Sequence, residues 1–335
     1  MMITRRGFAA FMTTSAWALT GAGTLGLGPL ASRAAFAQAR PKITVSSLTL
    51  PVIAPLVWNV MKARGLDAKH GFDLELKPYP SISAYYAGFA TGETDALIGG
   101  PTVFQKLYQE GVPARIIGTG FTLADLVIFV KDDKIKSLAD LKGKQLAADM
   151  GSGQFQVVKI YANAKGLDLG KDITVVNANF AVARAQLEAD RVEAAMVIEP
   201  LASIILRQNP SWKIIFNAAE AWREITGQDG WELVPALRAD SIQRVPQAPN
   251  MLLAAMQDVA AVLRNDLDAA DKIAVDSVKL PPGILKAAVE SKRLDFVVTP
   301  AWQEAPRKSL LDMMDRAVKA GFYDKAPDPK IIYTP

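Results

Sequence analysis

The sequence contains no cysteine and only one histidine, His70, in 335 residues. Without cysteine the chain has no disulfide, no thiol nucleophile and no thiolate zinc site. A single histidine also removes most histidine-based acid–base catalysis and the paired imidazoles of common metal sites. His70 precedes Gly71 at the end of a predicted helix, where a cation faces the helix carbonyls and glycine takes the left-handed conformation. We therefore expect a structural role for His70, with no metal site and no cofactor.

The chain also has little net positive charge once the N-terminal segment is set aside. Of the 38 basic residues, Arg5, Arg6 and Arg33 precede residue 40, whereas none of the 34 acidic residues does. The chain from Arg40 onward is therefore close to neutral, with 35 basic and 34 acidic residues. A nucleic-acid-binding surface needs clustered positive charge, so we expect no nucleic acid partner. The length suits one two-lobed unit or two domains with a sizeable core.

The N-terminal region contains GAGTLG at residues 21–26, which fits the G-x-G-x-x-G spacing of a dinucleotide-binding turn. That turn requires a strand before it and an acidic residue about 20 positions downstream. No strand pattern precedes the glycines, and the next acidic residue is Asp67, about twice as far away as the motif requires. The motif therefore does not indicate a nucleotide site.

A secretory signal accounts for the same region. Arg5 and Arg6 precede an uncharged, mildly apolar stretch, and small-x-small sites end at Ala37 and Ala39. Adjacent arginines are typical of a twin-arginine signal, which the export machinery reads. A transmembrane anchor is the alternative, but the stretch is diluted by Gly, Ser and Thr. We predict that residues 1–39 are a twin-arginine signal peptide, cleaved after Ala37 or Ala39, and that the mature protein is periplasmic.

Short apolar runs alternate with amphipathic segments from Lys42 onward, in two successive sets. This alternation predicts βαβ units and parallel sheets. In the first set the predicted strands are 43–49, 72–79, 95–99 and 114–120, and the predicted helices are 55–69, 82–91 and 101–110. In the second set the predicted strands are 145–149, 173–177, 194–198 and 212–217, and the predicted helices are 153–165, 180–189 and 199–208.

Two further apolar runs, 126–130 and 231–237, lie between the sets and indicate crossings between two modules. One outward and one return crossing imply that a middle module is inserted into a first one. Residues 247–320 show helical periodicity with little strand signal, so we expect extra C-terminal helices that complete the first lobe. The predicted fold is α/β, with two Rossmann-like lobes joined by two crossings. The predicted boundaries are 40–124 and 232–335 for lobe 1 and 125–231 for lobe 2.

Segments that follow the predicted strands are candidates for ligand contact, because ligands of open parallel sheets lie beyond the carboxyl ends of the strands. Residues 152–154 open a predicted helix, and the free N–H groups of a helix start suit an anion. Capping of that helix by Ser152 is the alternative role. Glu199 follows another strand and is a candidate for an ammonium or hydroxyl group, or for complementing a helix dipole.

Three aromatic residues, Trp58, Tyr85 and Trp222, are candidates for an apolar wall of the cleft. Burial in the core is the alternative role, because aromatics at helical spacing serve cores more often than sites.

The same segments resemble the periplasmic substrate-binding proteins of ABC importers for aliphatic sulfonates, taurine and nitrate. The most specific stretch is IKSLADLKGKQLAADMGSGQF at 135–155, with Ser-Leu-Ala-Asp-Leu-Lys-Gly-Lys before a strand and a Gly-Ser-rich helix start. Further matches are GFDLELKPYPS at 71–81, GETDALIGGP at 92–101, and Glu199-Pro200, where the family often has Asp-Pro. The likeness spans about residues 40–240, most of the predicted mature chain.

This resemblance implies a type-two periplasmic-binding-protein clam that clamps its ligand between two lobes and delivers it to an ABC permease in the inner membrane. Apolar Phe155 stands where the family often has histidine, which implies a pocket less polar than a taurine site needs, so that a larger or aromatic organic acid fits as well. We expect a small organic anion as ligand, a sulfonate, carboxylate or similar, and a monomeric protein. The resemblance places the pocket on Pro51, Val52, Ser81, Ser83, Gly100, Pro101, Thr102, Ser152, Gly153, Gln154, Phe155 and Glu199.

Catalytic relatives of this fold are the alternative, of the pyrimidine-precursor synthase or desulfinase type. The resemblance implies that those enzymes rely on Cys or His residues, and this sequence offers only His70. We therefore expect a carrier and not an enzyme.

Replacing Arg5 and Arg6 together by lysine is expected to leave the protein in the cytoplasm, because the export machinery reads the arginine pair. Cell fractionation with immunoblotting measures the distribution, and Arg33→Lys, in the same segment, serves as the control that is still exported. Undiminished export of the double variant would refute the twin-arginine assignment.

Overall fold

A computed structural model describes residues 39–49 and 51–335. Apart from Ala39, the predicted signal peptide lies outside the described residues, as do the GAGTLG motif and Leu50. Residues Arg40–Pro335 form one compact unit. None of the helices in the described part of the chain combines the length and the apolar character that crossing a bilayer requires.

The strands of the described chain form two sheets. In chain order the strands are β1 (Lys42–Leu48), β2 (Asp73–Tyr79), β3 (Ala96–Gly99), β4 (Ala114–Ile116), β5 (Phe121–Thr122), β6 (Val127–Val130), β7 (Gln145–Ala148), β8 (Thr174–Asn177), β9 (Ala194–Val197), β10 (Lys213–Asn217) and β11 (Trp231–Arg238). The first sheet has the order β2-β1-β3-β11-β4, with β5 also paired to β11. The second sheet has the order β10-β6-β9-β7-β8. The two predicted α/β lobes are thus present, and each contains one of the two sheets.

Helices cover both sheets. In chain order they are α1 (Ala54–Ala63), α2 (Leu66–Lys69), α3 (Ile82–Ala90), α4 (Pro101–Gln109), α5 (Gly153–Ala164), α6 (Phe180–Glu188), α7 (Leu201–Gln208), α8 (Ala218–Thr226), α9 (Ala239–Arg244), α10 (Ala248–Asn265), α11 (Leu267–Val278), α12 (Ile284–Glu290) and α13 (Glu304–Lys319). Short 3₁₀ turns occur at Leu123–Asp125, Leu138–Leu141 and Pro329–Ile331. The predicted C-terminal helices are α10 to α13. Between α12 and α13, Phe296 and Pro300 make isolated bridges to Phe121 and Gly118.

Local chemistry sets several of the helix boundaries. The predicted helix 55–69 is interrupted by Gly65, whose φ of 62° lies in the left-handed region, so that α1 ends and α2 begins there. Asn217 caps α8, its side-chain oxygen accepting hydrogen bonds from the N–H groups of Ala219 and Glu220. Helix α8 was not predicted from the sequence, because its apolar residues directly follow those of β10.

His70 has the structural role expected for it. It follows α2, and Gly71 beside it has a φ of 80°, in the left-handed region. The His70 Nε2 atom lies 2.6 Å from Oδ2 of Asp258 on α10. The imidazole therefore joins two elements of the first lobe.

Strand direction differs from the expectation of parallel sheets in one respect. β1 is parallel to β2 and β3, and β7 is parallel to β8 and β9, as predicted. The two crossing strands run the other way, since β6 is antiparallel to β9 and β10, and β11 is antiparallel to β3, β4 and β5. Each sheet is therefore mixed, and each crossing strand begins at the edge where its parallel neighbours end.

The core consists of three clusters of buried side chains that pack on the two sheets. On β6, Ile128 and Val130 belong to a large cluster that spans both lobes. Val127 and Phe129 pack on the opposite face with α6 and α7. In the first lobe, a third cluster joins β1 and β3 to α1, α10 and α11. Strands buried on both faces explain why the runs 126–130 and 231–237 lack the alternation of half-exposed strands.

Gly120 lies where the chain passes close to β11, and this contact generates a stability prediction. A methyl group added to Gly120 would lie 2.3 Å from the backbone oxygen of Leu233. We expect Gly120→Ala to lower the free energy of unfolding by about 1–3 kcal/mol, as overpacking does in a rigid interior. Urea denaturation measures the change.

Gly151→Ala is the matched control, because its added methyl group would be 3.6 Å from Asp149 Oδ1, an ordinary contact. Equal stabilities of the two variants would show that the segment at Gly120 can move away from β11 without cost.

Candidate functional site

A cavity of about 450 Å³ is lined by segments of both lobes. In the first lobe the lining includes Val52, which follows β1, and Gly100, which follows β3. In the second lobe it includes Gly153 after β7, Phe180 after β8 and Ile198 after β9. The cavity thus lies at the carboxyl ends of the parallel strands, the position of ligand sites in open α/β sheets. Its volume falls in the range of about 300–1,000 Å³ that small-molecule sites occupy.

Two helix starts face each other at this cavity. A methyl group added to Gly153, the first residue of α5, would lie 3.6 Å from Oγ1 of Thr102 in the first turn of α4. The first N–H groups of a helix have no acceptor within the helix, and Gly153 and Gln154 occupy such positions in α5. The partial positive charge of these N–H groups suits a negatively charged group at this point of the cavity.

Ser152 is the cap of α5. Its Oγ accepts a hydrogen bond from Phe155 N at 3.1 Å and donates one to Asp149 O at 2.7 Å. The hydroxyl hydrogen is therefore already used within the protein. The alternative role of Ser152 accounts for its side chain, and α5 offers a ligand its backbone N–H groups rather than this hydroxyl.

The structure brings seven of the twelve predicted contact residues to the cavity. These are Val52, Gly100, Pro101, Thr102, Ser152, Gly153 and Gln154. Pro51 and Ser83 are exposed and stand outside the lining. Ser81 is also outside it, where its Oγ caps α3 by accepting from Ala84 N at 3.2 Å. Ligand contact at the seven lining residues stays a prediction.

Phe155 lies in the core and not in the lining, with 4% of its surface exposed. On α5 the residues that line the cavity include Gly153, Gln156, Val157 and Ile160. Their spacing of three and four places them on one helical face, and Phe155 falls on another. The expectation that Phe155 lines the pocket was therefore wrong. The lining is nevertheless largely apolar, because other side chains form it.

Glu199 does not reach the cavity either. Its side chain is fully buried, and Oε1 accepts hydrogen bonds from Arg293 Nε at 2.7 Å and Ser203 Oγ at 2.9 Å. Its Oε2 accepts from Ser203 N at 3.0 Å, in the first turn of α7. The carboxylate thus ties β9 and α7 to the segment after α12. Its position before α7 agrees with the alternative role, in which it complements the dipole of that helix. Its existing hydrogen bonds leave few acceptor sites for a ligand group.

Aromatic side chains form much of the cavity wall. Tyr85 and Trp222 line it, whereas Trp58 is buried in the core and donates from Nε1 to Ser46 O at 3.1 Å. Tyr86 and Trp231 were not predicted and also contribute. They were not predicted because the sequence does not show which side of a helix or strand faces the cavity.

The hydroxyl groups of the two tyrosines are fixed by backbone partners. Tyr85 Oη donates to Ile98 O at 2.6 Å, and Tyr86 Oη accepts from Gly100 N at 3.1 Å. Burial raises the pKa of Tyr86 to about 12 and raises the pKa of Tyr85 well above its ordinary value. Both hydroxyls therefore stay neutral, and they hold the segment from β3 to α4 in place.

Two buried carboxyl groups meet beside the cavity. Asp125 ends the 3₁₀ turn before β6 and is fully buried, whereas Glu232 on β11 is 6% exposed and lines the cavity. Glu232 Oε1 accepts a hydrogen bond from Gln154 Nε2 at 2.6 Å. Both oxygens of Asp125, and Oε2 of Glu232, have no N–H or O–H donor among the residues described. The two carboxyl groups are positioned to hydrogen-bond to each other once one of them is protonated.

Burial is the main influence on the protonation of this pair. It raises the pKa of Asp125 well above its ordinary range, and the negative charge of Glu232, the hydrogen bond with Glu232 and the more distant Glu199 add to the rise. Burial also raises the pKa of Glu232, against the hydrogen bonds from Asp125 and Gln154. We conclude that the pair retains a shared proton at pH values where exposed carboxyl groups have lost theirs.

Sequence reasoning missed both members of this pair. Asp125 stood out only as the residue that bounds the run 126–130, and Glu232 only as a charged residue within the run 231–237. The available signal was an acidic residue at the beginning of each crossing strand. Recognising a pair required the knowledge that both crossing strands begin at the cleft.

Comparisons with known proteins agree with this architecture. Residues 56–221 match the family model described as NMT1/THI5 like. A comparison with curated protein sequences finds no match.

Solved structures share the fold at low sequence identity. The periplasmic aliphatic sulphonate binding protein SsuA from Escherichia coli matches with a TM-score of 0.75 and 16% identity, over 89% of this chain and 93% of that chain. The alkanesulfonate-binding protein SsuA from Xanthomonas axonopodis pv. citri, bound to MOPS, gives 0.67 and 16%, over 88% and 98%. The periplasmic nitrate-binding protein NrtA from Synechocystis PCC 6803 gives 0.64 and 16%, over 87% and 84%.

These matches show the fold. The chain has the two-lobed α/β fold of the periplasmic substrate-binding proteins, with its cavity at the junction of the lobes. Over residues 56–221 the chain is similar to the NMT1/THI5-like family.

The buried carboxyl pair generates a prediction about stability and pH. Because the folded state raises the pKa of Asp125, the folded protein holds its proton more tightly than the unfolded chain. This contribution to stability is fully present below the unfolded pKa, near 4, and is lost as pH rises toward the folded pKa. We expect Asp125→Asn to be more stable than the wild type by about 1–3 kcal/mol at pH 8, where it removes an unpartnered buried carboxyl. The advantage should shrink toward pH 4.

Urea denaturation of the purified protein at several pH values measures this difference. Asp133→Asn, at an exposed position, is the control and should match the wild type throughout. A stability difference that is the same at pH 4 and pH 8 would show that the pair does not retain an additional proton.

Proposed function

We propose that this chain is an exported solute-binding protein that captures a small organic anion between its lobes and delivers it to an ABC-type permease. One observation carries the proposal: the starts of α4 and α5 face each other at a cavity lined from both lobes, with 3.6 Å between the added Gly153 methyl group and Thr102 Oγ1. Closure of two lobes over such a site buries a ligand and changes the outer surface that a permease contacts.

The size and lining of the cavity favour an organic anion over an inorganic one. The cavity volume of about 450 Å³ far exceeds the volume of nitrate, which has four atoms. The lining includes many aliphatic and aromatic side chains. A sulfonate or carboxylate head on the N–H groups of Gly153 and Gln154, with an apolar body against Tyr86 and Trp222, satisfies both regions of the cavity. The Xanthomonas alkanesulfonate-binding protein, which shares the fold, is bound to MOPS, and MOPS is an organic sulfonate.

A carrier is a better interpretation than a catalytic relative. The enzymes of the alternative rely, by resemblance, on Cys or His residues. The chain has no cysteine, and its single histidine, His70, pairs with Asp258 and is outside the cavity lining. Reversible binding without product is therefore the expected behaviour, and conversion of a bound ligand would support the enzyme.

Export and partners complete the proposal. We infer that residues 1–39 direct the chain to the periplasm through the twin-arginine machinery, and that an inner-membrane permease receives the ligand there. The periplasmic proteins that share the fold support this location. We also infer a monomer, because each lobe must move freely for the cleft to open.

Gly153→Leu tests the position of the ligand. The added side chain would fill the gap between the starts of α4 and α5 and block closure, with little effect on folding because it points into the cavity. The assay is a thermal-shift screen of the purified protein against alkane and arene sulfonates, aromatic carboxylates, nitrate and pyrimidine precursors. A ligand at 100 times its Kd should add about 2.7 kcal/mol to the wild-type protein. The variant should lose this stabilisation.

Ala139→Leu is the matched control, because Ala139 is exposed and outside the lining, so the shift should persist. The pocket is misplaced if a ligand stabilises Gly153→Leu as much as the wild type. Binding of nitrate alone, with none of the organic acids, would contradict the proposed ligand class.

A further inference from the structure

The ionisable side chains around the cavity are acidic. Apart from the tyrosines, the lining contains two ionisable residues, Asp149 and Glu232, and none of its described members is Lys, Arg or His. Asp149 Oδ1 accepts a hydrogen bond from Gly151 N at 3.2 Å, in the loop before α5. Glu232 is the more buried of the two, and its carboxyl group adjoins Asp125. A negative group of the ligand thus has the helix starts as partners, whereas Glu232 requires a different partner.

The hydrogen bonds of the carboxyl pair are incomplete. A carboxylate accepts up to about four hydrogen bonds. Glu232 receives one from Gln154, and Asp125 receives none from the residues described. One proton shared between the two groups satisfies one more acceptor, which still leaves buried lone pairs on both residues. Buried acceptors without donors are costly, so the geometry calls for a further donor.

The neighbouring charged and titratable groups do not supply this donor. The guanidinium of Arg293 is not available, because it donates to Glu199 Oε1 and Ser203 Oγ. Tyr85 Oη donates to Ile98 O. Tyr86 Oη accepts a hydrogen bond from Gly100 N, and its own O–H does not reach the pair, since Glu232 Oε2 and both Asp125 oxygens have no partner among the residues described. Among these groups Glu199 is itself negative, so it increases the need for a donor.

The cavity is the remaining direction from which a donor reaches the pair, because Glu232 lines it. Gln154 adds a second acceptor there. Its Nε2 donates to Glu232 Oε1, and the carbonyl oxygen of the same amide is the acceptor that remains for a ligand. Gln154 also lines the cavity and stands one residue beyond Gly153. Donor-accepting and anion-binding groups thus adjoin each other in one cavity.

We propose that the ligand carries, besides its acidic group, a nitrogen-borne hydrogen-bond donor that binds Glu232. Asp125 is a positioning residue, which holds the shared proton and orients the Glu232 carboxyl. The inference rests on the proposed function, since it refines the class of organic acid to one that bears an amine or an amino-substituted ring. The anion head lies at the N–H groups of α5, and the nitrogen lies toward β11.

Matched pairs of small acids test this inference on the full purified protein. The probes are benzenesulfonate with 4-aminobenzenesulfonate, and benzoate with 4-(aminomethyl)benzoate, and isothermal titration calorimetry gives each Kd. We expect the aminated member of at least one pair to bind about tenfold tighter or more, the effect of one hydrogen bond to a charged group. In Glu232→Gln this ratio should fall to near one, because the amide keeps the size but loses the charge.

Glu220→Gln is the matched control, the same substitution at an exposed position of α8, and it should keep the wild-type ratio. Equal binding of both members by the wild-type protein would overturn the inference and leave the proposed function standing. Preference for a hydroxylated analogue, 4-hydroxybenzenesulfonate, over the amine would also overturn it. Binding of none of these acids would count against the proposed function itself. The wild-type ratio decides the matter even if Glu232→Gln does not fold.

Discussion

The antiparallel direction of the two crossing strands is the constraint on which the cavity depends. β6 and β11 each begin at the edge where the neighbouring parallel strands end. Val127 pairs with Val197 at the end of β9, and Val234 pairs with Gly99 at the end of β3. The residues just before these pairs therefore reach the cleft. Parallel crossing strands would deliver their first residues to the opposite edge, and Asp125 and Glu232 would never meet.

The same geometry explains the mixed character of the cavity. Parallel strands end in turns that open helices, so N–H groups of α4 and α5 collect there. Antiparallel strands contribute their beginnings, which here carry carboxyl groups. Aromatic and aliphatic side chains between them exclude water, and a low dielectric strengthens every polar contact that a ligand completes. The site thus combines partial positive charge, negative charge and an apolar wall within one cavity.

Two polar contacts tie distant parts of the chain together around this site. Gln154 on α5 donates to Glu232 on β11 at 2.6 Å, which joins the second sheet's helix to the first sheet. Glu199, at the end of β9, binds Arg293 in the C-terminal helical region at 2.7 Å. In the proposed mechanism, opening of the cleft separates the first of these contacts. A ligand bound at Glu232 would then shift the balance between open and closed forms.

Several features of the fold were predictable from local patterns, and the failures have local causes. Strands and helices alternated with clear periodicity, which led to two α/β lobes and two crossings. Helix α8 was missed since it follows β10 without a break, and the helix 55–69 was predicted without its interruption at Gly65. Phe155 was assigned to the pocket by the family resemblance, and Glu199 by that resemblance and by its place after a strand. The side of a helix or strand that faces a cavity depends on its rotation against neighbours, which single-chain periodicity does not reveal.

The sequence by itself determined the fold class, α/β with two lobes joined by two crossings. The absence of cysteine, the near balance of charge after residue 39, and the strand–helix periodicity are local or additive properties, and they needed no coordinates. Only the tertiary structure decided which side chains form the site. Asp125 and Glu232 are far apart along the chain and each adjoins an apolar run, so their proximity depends on strand direction and on the packing of two lobes. Contacts of that kind arise from the arrangement of whole elements, and no pattern within one element encodes them.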